Sequence, residues 1–110
     1  MNVLIVEDET AAATNLKALL LQIDPSIRIE AVIETVVETV RWVKDNPLPD
    51  LIFMDIYLNE LNGIDIVRKI RQMDSKVIIV FLTTSKEHIF EAAPFHFFDY
   101  ILNPFGLKSP

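Results

Sequence analysis

Three acidic side chains and a pair of hydroxyls stand where apolar runs end. Glu7 and Asp8 follow Val3-Leu4-Ile5-Val6, Asp55 closes Leu51-Ile52-Phe53-Met54, and Thr83-Thr84 follow the run from Val77 to Leu82. Such runs read as buried parallel strands, and open α/β sheets bind ligands just beyond the carboxyl ends of their strands. In the order 2-1-3-4-5, taken over from known doubly wound sheets rather than derived from these residues, strands one and three are neighbours. Glu7, Asp8 and Asp55 would then share one mouth. Like charges that close cost several kcal/mol unless a cation neutralises them, and a hard divalent cation does this best. Oxygen ligands with no His or Cys beside them point to Mg²⁺. A Mg²⁺-bound carboxylate beside a hydroxyl suits phosphoryl transfer to an aspartate. The plainer readings are Asp55 capping the following loop and Glu7, Asp8 and Glu9 placing negative charge at a helix start.

The segments between these tips have to position them. After the first strand, Thr10 can cap a helix in which Ala13, Leu16, Leu20 and Ile23 recur at helical spacing, ended by Asp24-Pro25. Ile27 to Ile33 begins as an apolar–polar alternation, which fits an edge strand. Val36, Val40 and Val43 mark a second helix closed by Asn46-Pro47. The central strand runs to Asp55, and Ile56 to Gly63 reads as a loop. A third helix buries Ile66, Val67, Ile70 and Met73, with Arg68, Lys69, Arg71 and Gln72 mainly on its wet side. The fourth strand, Val77 to Leu82, leads into a short helix limited by Pro94, and Phe98 to Leu102 reads as a fifth strand. The alternation predicts a doubly wound α/β fold with a five-stranded parallel sheet and helices on both faces. Residues 106–110 are too few for a fifth helix, so exposed apolar surface and a homodimer are expected.

Composition narrows the class. The chain of 110 residues is 51% hydrophobic and 24% charged, as expected of one folded domain. No apolar run approaches the roughly 20 residues of a membrane span, and the start lacks the pattern of an export leader, so cytoplasm is the expected location. Cysteine is absent, which removes disulfides and thiolate metal sites. A net charge of −6 argues against direct contact with nucleic-acid phosphates. Residues 7–15 contain no glycine to let backbone approach a phosphate, which rules against a flavodoxin-like cofactor carrier.

Five segments in register carry a resemblance: Leu4-Ile5-Val6-Glu7-Asp8-Glu9, Pro49 to Asp55, Asn62-Gly63, Phe81-Leu82-Thr83-Thr84, and Phe98-Asp99-Tyr100-Ile101-Leu102-Asn103-Pro104-Phe105. Across nearly all of residues 1–105 the chain resembles the receiver domain of bacterial two-component response regulators. Its ending is most similar to regulators with a LytTR-type DNA-binding output domain. The resemblance implies a flavodoxin-like receiver fold over residues 1–110, with the last helix truncated or missing and the output domain outside the chain. It implies a phosphoacceptor switch rather than an enzyme. Asp55 would take a phosphoryl group from a phosphohistidine of a sensor histidine kinase. Asp8, Asp55 and the Tyr57 backbone carbonyl would hold Mg²⁺, with Glu7 helping through water. Thr83 would bond a phosphoryl oxygen, and Tyr100 would be the switch aromatic, its plainer reading being a half-buried edge tyrosine.

One departure weighs most. The family carries a lysine before the proline, and Asn103 stands there. An asparagine amide still donates, but it is shorter and uncharged; losing one preorganised donor of this kind costs about 2.7–4 kcal/mol of transition-state stabilisation. The expectation is slower phosphorylation, weaker switching, or both. Asn103 also supports an alternative: a pseudo-receiver that binds partners and signals without phosphate. Smaller departures are Asn59, where proline is common, and Pro94, which should shorten the fourth helix. His88 and His96 read as surface or turn residues, and Phe95, Phe97 and Phe98 as core.

Overall fold

Alternating apolar runs and helix-periodic segments build a single parallel sheet in the computed structural model of the chain. It describes residues 1–55, 57–58, 61–62, 64–73, 76–83 and 99–102, with backbone alone for 57–58, 61–62, 64–65, 83 and 99–102. The elements are β1 (Asn2–Val6), α1 (Thr10–Ile23), β2 (Arg28–Ile33), α2 (Val36–Asp45), β3 (Leu51–Asp55), β4 (Tyr57–Leu58), β5 (Leu61–Asn62), α3 (Ile64–Met73), β6 (Ile78–Thr83) and β7 (Asp99–Leu102). The main sheet has the order β2-β1-β3-β6-β7, all pairs parallel. Counting only its five members, that is 2-1-3-4-5. The chain therefore has the flavodoxin-like architecture.

Successive strand residues point to opposite faces, and the core divides accordingly. Leu4, Val6, Ile52, Met54, Ile79 and Phe81 pack with Val43 of α2 and Ile66, Val67 and Ile70 of α3. On the other face Val3, Ile5, Phe53, Val80 and Leu82 pack with Ala13 and Leu16 of α1. A central strand whose residues are wanted by one layer or the other has to be apolar where it is covered, as β1 is from Val3 to Val6 and β3 from Leu51 to Met54. The edge strand obeys a subtler rule. Val3 pairs with Ile29 but Leu4 pairs with Ala31, so Glu30 is an extra residue and the register shifts there. This bulge reverses the alternation: Ile29 joins the α1 layer while Ala31 and Ile33 join the other. It also interrupts the free edge of the sheet, as edge strands commonly require.

Several expectations change. Residues 57–58 and 61–62 form an antiparallel pair, Tyr57 with Asn62 and Leu58 with Leu61, where a plain loop was expected. Met73 is 48% exposed and Ile23 is 71% exposed, each at the last turn of its helix. Thr39 is fully buried in α2 and satisfies its hydroxyl on the Thr35 carbonyl at 2.7 Å. The expected fourth helix, Pro94, His88, His96, Phe95, Phe97, Phe98, Asn59 and the region of the fifth helix lie outside the described residues.

Candidate functional site

The mouth is assembled by neighbouring strands that stop at the same level. Val6 pairs with Ile33 of β2 and with Met54 of β3, and the Glu7 amide extends that track by donating to the Ile33 carbonyl at 2.9 Å. Asp55 is the last residue of β3, opposite Leu82 of β6. Glu7 and Asp55 are buried, at 3% and 5% exposure, and Asp8 is half-buried. One carboxylate oxygen from each of Glu7, Asp8 and Asp55 lies within 4.8 Å of the others.

Two unit charges at that distance repel by about 3 kcal/mol at an effective dielectric of about 20. A fold that buries such a group has to neutralise it by protons, by hydrogen bonds or by a cation. Part of the answer is local: Glu7 Oε1 accepts a hydrogen bond from the Glu9 amide at 3.0 Å. The donor set itself consists of hard oxygens, with no imidazole or thiolate among the three. That chemistry fits a small divalent cation of the Mg²⁺ type.

The start of α1 differs from expectation. Thr10 is its first residue rather than its cap; the N-cap is Glu9, with extended backbone and no hydrogen bond from its own side chain. In α2, by contrast, Thr35 caps normally, its hydroxyl accepting from the Glu38 amide at 3.1 Å. The acceptor at the head of α1 comes instead from Glu7, outside the helix. An acid two residues before a helix N-cap was the only local signal of it.

The remaining candidates are placed by register. Thr83 ends β6 one residue past Leu82, the partner of Asp55, and pairs with Leu102. It therefore stands at the same end of the sheet as the three carboxylates. Tyr100 lies within β7 opposite Phe81, two residues short of that end. Tyr57 follows Asp55 by two residues, in β4. Asn103 and Thr84 lie outside the described residues.

Residues 3–109 match the response regulator receiver domain family. The chain belongs to that family. Its curated relatives include the transcriptional regulatory protein LytR of Staphylococcus aureus, 36% identical over 108 residues, covering 98% of this chain and 43% of the relative. That regulator is of the kind to which the ending of the chain is similar. Among solved structures, the response regulatory domain of MrkE from Klebsiella pneumoniae is 35% identical, with a TM-score of 0.83, covering 96% of this chain and 84% of that one. The receiver domain of the sensor histidine kinase PA1611 from Pseudomonas aeruginosa is 26% identical, with a TM-score of 0.79, covering 94% and 85%. Its structure has a magnesium ion coordinated in the active-site cleft. This receiver chain spans about two-fifths of the length of the curated relatives it matches.

Proposed function

We propose that this receiver domain is a phosphoacceptor switch in which Asp55 accepts a phosphoryl group from a phosphohistidine of a sensor histidine kinase. The observation that carries the reading is the convergence of Glu7, Asp8 and Asp55 at the carboxyl ends of β1 and β3. A carboxylate oxygen of Asp55 attacks phosphorus, the phosphorus–nitrogen bond breaks, and its electron pair returns to the imidazole nitrogen. The leaving ring is protonated on its other nitrogen or takes a proton from water as it departs, so the products are an aspartyl phosphate and a neutral histidine. Asp8, Asp55 and the Tyr57 carbonyl would hold Mg²⁺, with Glu7 helping through water; the PA1611 domain, similar in fold, has a magnesium ion in its cleft. When bound, Mg²⁺ supplies positive charge to the phosphoryl oxygens.

Tyr57 opens β4, two residues beyond Asp55, and pairs with Asn62 of β5. Thr83 would bond a phosphoryl oxygen and Tyr100 would follow its movement. The region 1–110 would act as one receiver domain, passing its state to an output domain that contacts DNA. This domain itself would touch neither DNA nor membrane. No helix among the described residues is long and apolar enough to cross a membrane, in keeping with a cytoplasmic location. The exposed Leu19 and Ile23 of α1 offer apolar surface for a homodimer.

Asn103 favours a second reading, in which the same mouth serves a pseudo-receiver that signals through protein contacts without phosphate. Intact mass after incubation with acetyl phosphate, with and without Mg²⁺ and beside Asp55→Asn, separates the two. A Mg²⁺-dependent gain of one phosphoryl group, lost in the variant, supports the switch. No gain with Mg²⁺ demonstrably bound supports the pseudo-receiver, and Asn103→Lys then tests whether that residue is responsible.

A further inference from the structure

Glu7 is tied into the turn between β1 and α1 at two points. Its amide donates to the Ile33 carbonyl at 2.9 Å, and its carboxylate accepts from the Glu9 amide at 3.0 Å. The second bond closes a ring through the backbone of Asp8, the residue between them. Glu9 is the N-cap of α1, and its carbonyl accepts the Ala13 amide at 3.0 Å, so the far side of that ring is anchored to the helix.

In an ordinary capping box, the N-cap amide is satisfied by a Glu or Gln three residues into the helix. That position in α1 is Ala12, which has no acceptor. Glu7 supplies it from the strand side. A carboxylate 3% exposed could instead have been buried purely to add charge to the mouth. Such a role would not require a bond to the amide two residues on.

We propose that Glu7 is a positioning residue: it fixes the Asp8 backbone between β1 and α1 and so aims the Asp8 carboxylate at Asp55. This rests on the functional reading above for its consequence, since the aim matters because Asp8 and Asp55 would share a Mg²⁺ ion. Beside its charge in the cluster, the function assigned to Glu7 here is geometric, and the atom that performs it is the acceptor oxygen. Glutamine keeps that acceptor and loses the charge; alanine loses both.

Two measurements on the full chain test this, amide hydrogen exchange without metal and calorimetric titration with MgCl₂, for wild type, Glu7→Gln and Glu7→Ala. Circular dichroism first verifies that all three are folded. In the metal-free protein the Glu9 amide should exchange at wild-type rates in Glu7→Gln and about tenfold faster in Glu7→Ala. The Mg²⁺ affinity of Glu7→Gln should fall through the lost charge alone, because Glu7 is one of the three converging carboxylates. That of Glu7→Ala should fall about 10–100-fold further than that of Glu7→Gln, as when a ligand loses the group that orients it. Glu7→Gln binding Mg²⁺ as weakly as Glu7→Ala would overturn the proposal in favour of charge, and so would unchanged Glu9 exchange in Glu7→Ala. A wild-type chain that binds no Mg²⁺ sinks the functional reading instead, and the metal-free exchange then decides by itself whether Glu7 holds the turn.

Discussion

Asp50 and Asp55 flank the same buried strand, and the fold uses them in opposite ways. At the amino end, Asp50 is exposed. Its carboxylate accepts the Asn2 amide at 2.8 Å, its own amide donates to the Asn2 carbonyl at 2.9 Å, and its carbonyl accepts the Ile78 amide at 3.1 Å. Asp50 thereby stitches β1, β3 and β6 together where they begin. At the carboxyl end, Asp55 is buried and meets two further carboxylates. One acid joins the backbone hydrogen bonding at the start of three strands; the other stands in a cluster of like charges at their ends. An aspartate beside an apolar strand is therefore weak grounds for a site, whereas convergence of several is strong grounds.

The sharpest way to break this contrast is to exchange the two residues' fates in a phosphorylation assay. Asp55→Asn should abolish the mass gain from acetyl phosphate entirely, while Asp50→Asn should leave it at the wild-type level. Loss of labelling in both variants would mean that the amino-end acid matters to the chemistry after all.

Metal linkage should give the next largest effect. At a Mg²⁺ concentration 100 times its dissociation constant, binding stabilises a folded protein by about 2.7 kcal/mol. Thermal melts of wild type should show an upward shift with MgCl₂, and Asp8→Asn should show almost none. Equal shifts in both would remove Asp8 from the cation site.

Without metal, the two ends should respond with opposite signs. Asp8→Asn relieves like-charge repulsion and should raise stability by about 0.5–2 kcal/mol, the common exchange of function for stability. Asp50→Ala removes the acceptor for Asn2 and should lower it by about 0.5–1.5 kcal/mol. At about 4 °C per kcal/mol, calorimetry resolves both. Changes of the same sign would erase the distinction between a structural and a functional acid.

The smallest effect belongs to a third acid, remote from both ends. The Ser26 hydroxyl, at 2.7 Å, and then the Ser26 amide, at 3.0 Å, hold the Asp24 carboxyl below its ordinary value of 3.8. A depressed folded value means that stabilisation is present above the unfolded pKa and is lost as pH falls through the folded one. Ser26→Ala keeps the amide bond and loses the hydroxyl. Carbon-detected NMR titration should therefore show the Asp24 pKa moving part of the way back up, with phosphoryl uptake unaffected.

Much of this architecture was legible because its causes are local. Apolar runs of four to six residues, helical recurrence in residues 10–23 and 36–45, and Asp24-Pro25 and Asn46-Pro47 as stops each act over a few residues. The side-chain bond that heads α1 was misread at Thr10, because Thr10, Glu7 and Glu9 all offer plausible acceptors nearby. Only the turn geometry selects Glu7. The bulge at Glu30 was invisible as well. Ile27 to Ile33 begins as an alternation and ends as Ala31-Val32-Ile33, and only the pairing with β1 shows that Ile29 and Ala31 go to opposite layers.

The residues alone determined a chain of alternating strands and helices with acids at the strand ends, since hydrophobic periodicity and chain-breaking residues are properties of neighbours in sequence. They did not determine that β1 lies beside β3, nor that Glu7, Asp8 and Asp55 meet while the Asp50 carboxylate accepts the Asn2 amide. Adjacency of strands depends on how crossover helices pack on the two faces, and the direction of a carboxylate depends on the register and turns around it. The candidate site exists because residues 8 and 55, far apart in the chain, end up at the same level of one sheet.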